Sequence, residues 1–486
     1  MSTRVSPSFL AQELVALSKA GRYADAVQAF EAARLAGSPS ANVYTAVTAM
    51  TAATRLGDSA FAETAFAWLQ ATGQAHSPYA WTALLRARKS DWRAALDGLG
   101  AMRAAGVCIT GHAVTAVLAA CCAGGAEGCA AAVPLFDDSL LDALDDVDSH
   151  LCAAFITLFG RLRDATAVRR VWAWAAERGC EVDSHLFCAF MAALLRAGDA
   201  RHAARVFQTS PTPASAHCYA TGMRALSAAG VPSAVAATEA AFARMLAAGV
   251  TPTKHCHAAL LGCYARVGQA DAALSALDDA LAGCGGLEPP PAVCTHLAMA
   301  ACARVGRLAD AMHLLDRLQQ AGAADVCSYS TAMLAAAVAG SPETGEQVFA
   351  AMARARVVPN DYTFTALISA HGAAARTATT AAEALACARA ARGVRDRMKA
   401  YGLVPSIHVF NACLSACEAA RDDSAALVVY QELVDQGVAP NQATRRLMAI
   451  VGKRGVDSVN AAQSSLTAIS ALGAALLATL INRGFL

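Results

Sequence analysis

The chain has 486 residues and a formal net charge of +1, and 56% of its residues are hydrophobic although only 6% are aromatic. The difference is due mainly to alanine, which favours helices and allows them to pack closely. A near-neutral charge is low for a nucleic-acid binder. No run reaches the ~20 strongly apolar residues of a membrane-spanning helix. The nearest candidate, Leu466–Ile481, is too short and too rich in Ala, Ser and Thr.

Residues 1–6 form a short N-terminal tail before the first predicted helix. They contain no apolar segment of the secretory type and leave no room for an organelle transit peptide. From residue 7 onward the pattern is helical. A length of 486 residues would suggest about three globular domains, but the internal repetition described next predicts one elongated array instead.

Residues 7–441 are predicted to form helical hairpins that recur about every 35 residues, most clearly in 326–360 and 407–441. In the latter, Phe410, Cys413, Leu414 and Cys417 make one apolar stripe of helical spacing, and a second stripe follows. Two such short helices cannot bury both stripes alone, so the hairpins must stack. The predicted repeats are 7–40, 41–77, 78–110, 111–148, 149–183, 184–215, 216–253, 254–291, 292–325, 326–360, 361–406 and 407–441.

Glycines recur at the fifteenth place of the predicted repeats, where a tight or left-handed connection between the two helices excludes most other residues. They are Gly21, Gly125, Gly198, Gly230, Gly268, Gly306 and Gly340. The eleventh repeat is longer than the others, and its extra Ala/Thr-rich sequence over 373–384 predicts an extended helix or a surface loop. Residues 442–486 are predicted to form a partial repeat and an Ala/Leu-rich capping helix.

Seventeen cysteines lie within the helical stripes, which is typical of small core residues in a reducing compartment. There is no Cys-x-x-Cys motif. The cluster His255-Cys256-His257 with Cys263 has no second ligand pair at metal spacing, so we expect neither a metal nor another cofactor. A basic run in the eleventh repeat is a candidate phosphate contact, with a solvated helix face as the alternative. It comprises Arg389, Arg392, Arg395, Arg397 and Lys399.

The repeated pattern resembles that of the pentatricopeptide-repeat (PPR) proteins. The segments that carry it are Asp361–Ile368, Cys302–Ala311, Phe242–Met245 and Gly249–Thr253. The resemblance covers about residues 7–441. It implies an all-α fold, a right-handed superhelical solenoid of about twelve helix-turn-helix repeats. It also implies single-stranded RNA as the partner and a mitochondrion or chloroplast as the location. Without a visible presequence, a location in the cytosol or nucleus is the alternative.

By this resemblance, the fifth and the last residue of each repeat together recognise one RNA base. Three pairs resemble readers of guanine, adenine and a pyrimidine respectively: Thr115 with Asp148, Ser330 with Asn360, and Asn411 with Asn441. Hydroxyl residues fill further fifth or last places: Thr45, Ser77, Thr82, Thr110, Thr365 and Ser406. Alanine at other fifth places departs from the family pattern. The alternative is that all of these are small helix-surface residues without a role in binding.

The second place of the repeats is rich in rings that can stack on a nucleobase. Six of the twelve histidines occur there, and tyrosine fills two more repeats. The residues are His112, His150, His185, His217, His255, His408, Tyr79 and Tyr362. By the resemblance, this place sandwiches bases between neighbouring repeats, and a protonated imidazole would also attract phosphate. Packing at a helix N-terminus is the alternative explanation.

No catalytic module follows the repeats. The sequence lacks the zinc-deaminase pattern of His-x-Glu with Cys-x-x-Cys and a phosphate-binding loop. After the repeats, residues 442–486 contain only Asp457, not a cluster of aspartates for Mg²⁺. We therefore expect neither an enzyme nor a small-molecule substrate. Two functions remain open. One is binding of single-stranded RNA in organelle RNA processing, stability or translation. The other is a protein-interaction scaffold that uses the same concave groove in a ribosomal or RNA-processing assembly.

Overall fold

Every regular element in the described part of the chain is a helix. The computed structural model describes residues 9–137, 144, 147–209, 215–230, 233–283 and 292–464. The chain divides into an N-terminal unit, Met1–Thr251, and a C-terminal unit, Pro252–Leu486. Among the residues described, no helix is both long enough and apolar enough to cross a membrane.

The N-terminal unit consists of helical hairpins whose first helices pack side by side. Its helices are α1 (Phe9–Lys19), α2 (Tyr23–Leu35), α3 (Val43–Leu56), α4 (Ser59–Ala71), α5 (Pro78–Ala87), α6 (Trp92–Ala104), α7 (Gly111–Ala123), α8 (Gly125–Ala132), α9 (Pro134–Asp137), α10 (Ser149–Arg161), α11 (Ala165–Glu177), α12 (Ser184–Arg196), α13 (Ala200–Thr209), α14 (Ala216–Ala228) and α15 (Ala234–Ala247). The row of first helices runs α1, α3, α5, α7, α10, α12, α14, each in contact with the next. Helices α2, α4, α6, α8, α11 and α13 each pack against two neighbours in this row.

The C-terminal unit repeats this arrangement. Its helices are α16 (Lys254–Val267), α17 (Ala270–Gly283), α18 (Ala292–Arg304), α19 (Leu308–Gln320), α20 (Val326–Ala339), α21 (Pro342–Arg354), α22 (Asp361–Thr377), α23 (Ala381–Arg397), α24 (Ile407–Ala419), α25 (Asp423–Asp435) and α26 (Gln442–Ser464), with a 3₁₀ turn at Met398–Tyr401. Helices α16, α18, α20, α22, α24 and α26 form the row of first helices. The second helices α17, α19, α21, α23 and α25 pack against them. The predicted all-α helical-repeat fold is confirmed.

The hairpin turns have the predicted backbone. All seven glycines at the fifteenth place have a positive φ, for example 87° at Gly268. Two other residues at this place, Arg163 and Arg421, also have a positive φ of 57° and 55°. The connection therefore keeps its left-handed geometry even where a side chain makes that geometry costly.

Two repeats depart from the regular hairpin. In the fourth, Pro134 begins the short helix α9 directly after α8, since proline lacks the N–H needed inside a helix. In the eleventh, α22 and α23 have 17 residues each, whereas the neighbouring α24 and α25 have 13. Of the extra sequence over 373–384, residues 373–377 extend α22 and residues 381–384 begin α23, and residues 378–380 connect the two helices.

Helix α26 covers the end of the last hairpin. It packs against α24 and α25, and its Met448 and Val451 are each 1% exposed. The Ala/Leu-rich segment Leu466–Ile481, for which we predicted a capping helix, lies outside the described residues.

Close packing of the first helices leads to a stability prediction at Gly160. A Cβ atom there would lie 2.6 Å from Cβ and 2.8 Å from Cα of Ala193 on the neighbouring α12. We expect Gly160→Ala to lower the free energy of unfolding by about 2 kcal/mol, because α10 and α12 must move apart. The matched control is Gly100→Ala on α6, where no atom lies within 4 Å and the better helix former should stabilise slightly. Urea unfolding followed by circular dichroism measures both, and equal midpoints for the two variants would contradict the prediction.

Candidate nucleic-acid interface

In each of the two units, a row of exposed rings lies at the N-terminal ends of the first helices. Each predicted second-place residue is the second residue of its helix and is exposed; these are Tyr79, His112, His150, His185, His217, His255, Tyr362 and His408. The rings of His150 and His185, from consecutive repeats, lie 5.5 Å apart between centroids and are tilted by 47°. These two rings from neighbouring repeats thus stand next to each other on one edge of the helix row.

The second repeat extends this row once its register is corrected. Helix α3 begins at Val43, because Asn42 caps it and exchanges two hydrogen bonds with Thr45. Thr45 is therefore the third residue of the helix and is fully buried, so its prediction as a base-reading residue was wrong. The second place belongs to Tyr44, which is 60% exposed. The capping-box pattern Asn-x-x-Thr would have located this start in the sequence.

In many repeats the last residue caps the next first helix. Five of the predicted last-place side chains accept a hydrogen bond from a backbone N–H of that helix: Asp148 from Leu151 (2.8 Å), Asn360 from Thr363 (2.9 Å), Asn441 from Thr444 (3.0 Å), Ser406 from His408 (3.2 Å) and Thr110 from Ala113 (3.3 Å). Ser77 occupies the same place without a side-chain cap bond. Capping engages Oδ1 of the asparagines and of Asp148, and it leaves the asparagine Nδ2 or the aspartate Oδ2 as a second polar atom.

Hydrogen bonds link the fifth place of one repeat to the last place of that repeat and the third place of the next. His296 Nε2 lies 2.7 Å from the hydroxyl of Ser328, which donates to Asp325 (2.9 Å). The same arrangement occurs twice more: Ser330 with Thr363 (2.9 Å) and Asn360 (2.9 Å), and Asn411 with Thr444 (2.7 Å) and Asn441 (3.0 Å). The three third-place hydroxyl residues are fully buried. Sequence reasoning missed them, although each belongs to an Asp/Asn-x-x-Ser/Thr pattern.

The predicted fifth-place residues differ in their burial and in their hydrogen-bond partners. Asn411 is brought together with its predicted partner, since its Nδ2 donates to Asn441 Oδ1 over 3.2 Å. Ser330 is only 2% exposed and its hydroxyl is bonded to Thr363, so the prediction that it contacts a base was wrong. Three fifth-place threonines donate to the carbonyl four residues earlier in their own helix: Thr82 (2.8 Å), Thr115 (2.8 Å) and Thr365 (2.9 Å). Their oxygen atoms remain acceptors.

A cavity of about 520 Å³ opens beside this row in the N-terminal unit. Tyr79 and His112 line it from the second place, Thr82 from the fifth, and Thr110 and Asp148 from the last. Its volume is within the range of small-molecule sites and exceeds that of a single nucleobase. Predicted stacking and reading positions of repeats 3 and 4 therefore share one concave surface.

The predicted phosphate contacts are largely contradicted. Arg395 is 8% exposed and pairs with Asp396 (3.0 Å) and Glu432. Arg397 makes two hydrogen bonds to Glu346 (2.7 and 3.1 Å), and Arg392 lies 3.9 Å from a carboxylate of Asp422. Carboxylates thus already neutralise the three arginines. Arg389 and Lys399 remain exposed, but the run belongs to α23 and the turn after it, on the second-helix side of the repeat.

Another set of cations, not recognised in the sequence, belongs to the first helices themselves. Eight first helices carry an exposed basic residue in their last turn: Lys19, Arg55, Arg86, Arg161, Arg196, Arg266, Arg304 and Arg376. Such residues favour a helix C-terminus, where the dipole is negative. Six of the eight, all except Arg86 and Arg376, recur at the thirteenth place once the second repeat is counted from Val43, and this recurrence was a signal available in the sequence. Together they place positive charge along the row of first helices.

Aspartates add negative charge near the row of rings. Burial opposes the shift, but hydrogen bonds from the Leu186 N–H and the Ser149 hydroxyl, with the nearby His185 and His150, lower the pKa of Asp183. The carboxylate is therefore ionised at neutral pH. Within the described residues, no group of three or more His, Cys, Asp or Glu side chains is arranged to hold a metal ion.

Comparison with known proteins gives matches of sequence and of structure. A family model described as the pentatricopeptide repeat domain matches residues 323–374 and 391–453. The crystal structure of the pentatricopeptide repeat protein PPR10 from maize is similar at a TM-score of 0.50 and 20% identity, over 97% of this chain and 76% of that one. PPR10 in complex with an 18-nt psaJ RNA element is matched at a TM-score of 0.39 and 18% identity, over 96% and 71% of the two chains. No curated protein matches the sequence.

Proposed function

This chain is a pentatricopeptide-repeat protein, and from the geometry of its first helices we propose that it binds single-stranded RNA along them. The observation that carries the proposal is the row of exposed rings at the second place. Tyr44, Tyr79 and Tyr362 are 60%, 74% and 54% exposed, and histidines fill six more repeats. Aromatic residues that avoid the core at the same place of successive repeats are suited to stacking on successive bases.

The last-place side chains give this surface a means of distinguishing bases. Once the capping bond has engaged Oδ1, Asn360 and Asn441 present an amide donor, whereas Asp148 presents a carboxylate acceptor. A donor suits base edges with an accepting ring nitrogen, and a carboxylate suits edges with a donating one, as in guanine or uracil. We propose that selectivity comes mainly from these residues, with Asn411 assisting Asn441 and with Thr115, Thr82 and Thr365 offering acceptors.

The basic residues in the last turns of the first helices supply the attraction to phosphate. They explain how a chain of net charge +1 can bind RNA, because six of the eight lie on helices that also carry a ring at the second place. Affinity should then fall as the salt concentration rises. Arg161 also donates to the carbonyl of Cys122, so it is the least free of the eight.

The test is a selection from a random single-stranded RNA library with the full chain. We expect enrichment of a short motif, and an affinity that decreases between 50 and 200 mM salt by ~10-fold or more. Double-stranded RNA of the same composition is the control. Failure to retain any RNA at 50 mM salt would contradict the proposal and would favour the protein-interaction scaffold as the use of this surface.

We further propose, from the family resemblance, that the target is an organelle transcript whose processing, stability or translation the protein affects, with other RNA-processing or ribosomal proteins as possible partners. Tagging the full-length gene product and fractionating cells tests the location. Recovery in mitochondria or chloroplasts together with a specific transcript is the expected result. Recovery in the cytosol alone would contradict it.

The histidines in the row predict that binding depends on pH. A protonated imidazole carries a positive charge, and such a ring beside RNA gains attraction to phosphate. We expect the affinity of the wild type to rise by roughly fivefold between pH 7.5 and 5.5, which corresponds to about 1 kcal/mol. Among the described residues, Asp183 interacts electrostatically with both His150 and His185. Because its pKa is lowered, Asp183 stays ionised over this range and cannot cause the change.

Fluorescence anisotropy of the selected RNA at both pH values measures the effect. The triple variant His150→Ala, His185→Ala, His217→Ala should lose most of the pH dependence. The control His313→Ala, an exposed histidine on the second helix α19, should keep it. Identical pH profiles for the wild type and the triple variant would contradict the prediction.

A further inference from the structure

The contact between a fifth-place residue and the third-place residue of the next repeat is a recurring feature of the first helices. Polar side chains make it in three junctions of the C-terminal unit, where His296, Ser330 and Asn411 bond to hydroxyl groups. Between repeats 6 and 7 the same two places hold cysteines. Cys188 on α12 and Cys218 on α14 have their sulfur atoms 2.8 Å apart, and the side chains are 5% and 0% exposed.

We propose that Cys188 and Cys218 form a reversible disulfide that joins the first helices of repeats 6 and 7 and weakens RNA binding at this junction. The bond itself is independent of any ligand. Its effect on RNA rests on the proposed function.

The separation of the two sulfur atoms requires little movement of the helices. Non-bonded heavy atoms pack at ~3.5–4.0 Å, so the thiols are already closer than ordinary neighbours, and a disulfide needs ~2.05 Å. Another close cysteine pair in the described residues is Cys152 with Cys180, at 4.0 Å and with Cys180 half-buried. That pair must approach much further, which makes it a useful internal comparison.

The oxidant is a small hydroperoxide, which can reach a thiol that larger disulfides cannot. One thiolate attacks a peroxide oxygen, the O–O bond breaks, and a sulfenic acid forms while hydroxide leaves and takes up a proton to become water. The second thiolate attacks the sulfenic sulfur, and the second water is released. With hydrogen peroxide the balance is two thiols and one peroxide to one disulfide and two waters. Thiol reductants reverse the bond by exchange.

The bond would act on RNA through the neighbouring rings. His185 is three residues before Cys188, and His217 is one residue before Cys218. In the preceding junction, the rings of His150 and His185 already touch, so a base inserted between second-place rings requires adjacent first helices to adjust. A covalent link between α12 and α14 resists that adjustment.

The test uses the full chain, fully reduced or treated with hydrogen peroxide, and a non-reducing digest analysed by mass spectrometry. We expect a peptide that links Cys188 to Cys218, which disappears with a reductant, and a melting temperature at least ~4 °C higher. RNA affinity should fall roughly fivefold on oxidation and recover on reduction. Cys218→Ser should abolish all three changes, and Cys180→Ser should abolish none.

A gain-of-function variant distinguishes the loss of the disulfide in Cys218→Ser from a folding defect in that variant. Between repeats 8 and 9, on the packed helices α16 and α18, the fifth place is Ala258 and the third place is Cys294. Ala258→Cys recreates the pair, and we expect a second linked peptide between residues 258 and 294. Absence of the Cys188 to Cys218 peptide would overturn the proposal, and so would its presence with unchanged RNA affinity. If the reduced protein binds no RNA but the linked peptide forms, the proposed function fails and the disulfide stands.

Discussion

Replacing Tyr44 and Tyr79 together by alanine is expected to lower the affinity for single-stranded RNA by ~100-fold or more. Stacking of one base on an aromatic side chain contributes about 1–3 kcal/mol, and these rings occupy the second place of adjacent repeats. They are 60% and 74% exposed, so their removal should leave the melting temperature nearly unchanged. Anisotropy titrations with the selected RNA measure the loss. The control is Tyr23→Ala, at the start of the second helix α2.

The single variants test the register of the second repeat. If α3 begins at Val43, Tyr44→Ala and Tyr79→Ala should each weaken binding by ~5-fold or more, because each removes one stacking partner. Thr45→Val should instead reduce stability, since it removes the capping bond to Asn42 without touching RNA. An unchanged affinity for Tyr44→Ala beside a weakened Tyr79→Ala would contradict this placement of Tyr44 in the row.

Thr363→Val is expected to lower the free energy of unfolding by about 3 kcal/mol, the largest stability loss predicted for a near-isosteric change here. The Thr363 hydroxyl bonds to Ser330 (2.9 Å) and Asn360 (2.9 Å) and accepts from the Asn360 N–H (3.3 Å). Valine leaves the Ser330 hydroxyl, which is 2% exposed, and the Asn360 N–H without this partner. Each unsatisfied buried polar group costs about 1–3 kcal/mol.

A double-mutant cycle shows whether the loss of stability comes from the Ser330 hydroxyl that is left without its hydrogen-bond partner. Ser330→Ala combined with Thr363→Val removes both hydroxyls, so the double variant should be less destabilised than the sum of the two single variants. Thr331→Val is the matched control, since its hydroxyl is less buried and donates only to the Cys327 carbonyl in its own helix. Chemical denaturation gives all four values. Additive losses would contradict a shared hydrogen-bond network.

The fold was predictable because its signals are local and repeated. Apolar stripes of helical spacing and glycines at the fifteenth place fixed the hairpins, and the glycines have the expected positive φ. The predicted start of the second repeat was wrong because it was placed by the length of the repeat. The capping box of Asn42 and Thr45 was the better marker of the helix start.

The candidate site was predictable only in part, because burial and pairing depend on neighbouring repeats. The exposed rings at the second place follow from position within one helix, and they lie where they were predicted. The burial of Ser330 and the capture of Arg397 by Glu346 arise from contacts between different helices. No spacing within a single repeat encodes such contacts, so the arginine run gave no sign that its charges were already neutralised.

In both units, the helix packing connects hairpins that are adjacent in the sequence. Cohesion of this kind is short-ranged, and a whole hairpin can be duplicated or deleted without rebuilding the rest of the core. If each hairpin meets one nucleotide, such an event lengthens or shortens the recognised sequence by one letter. The recognised RNA sequence then changes in evolution by duplication or deletion of a whole hairpin, as well as by single substitutions.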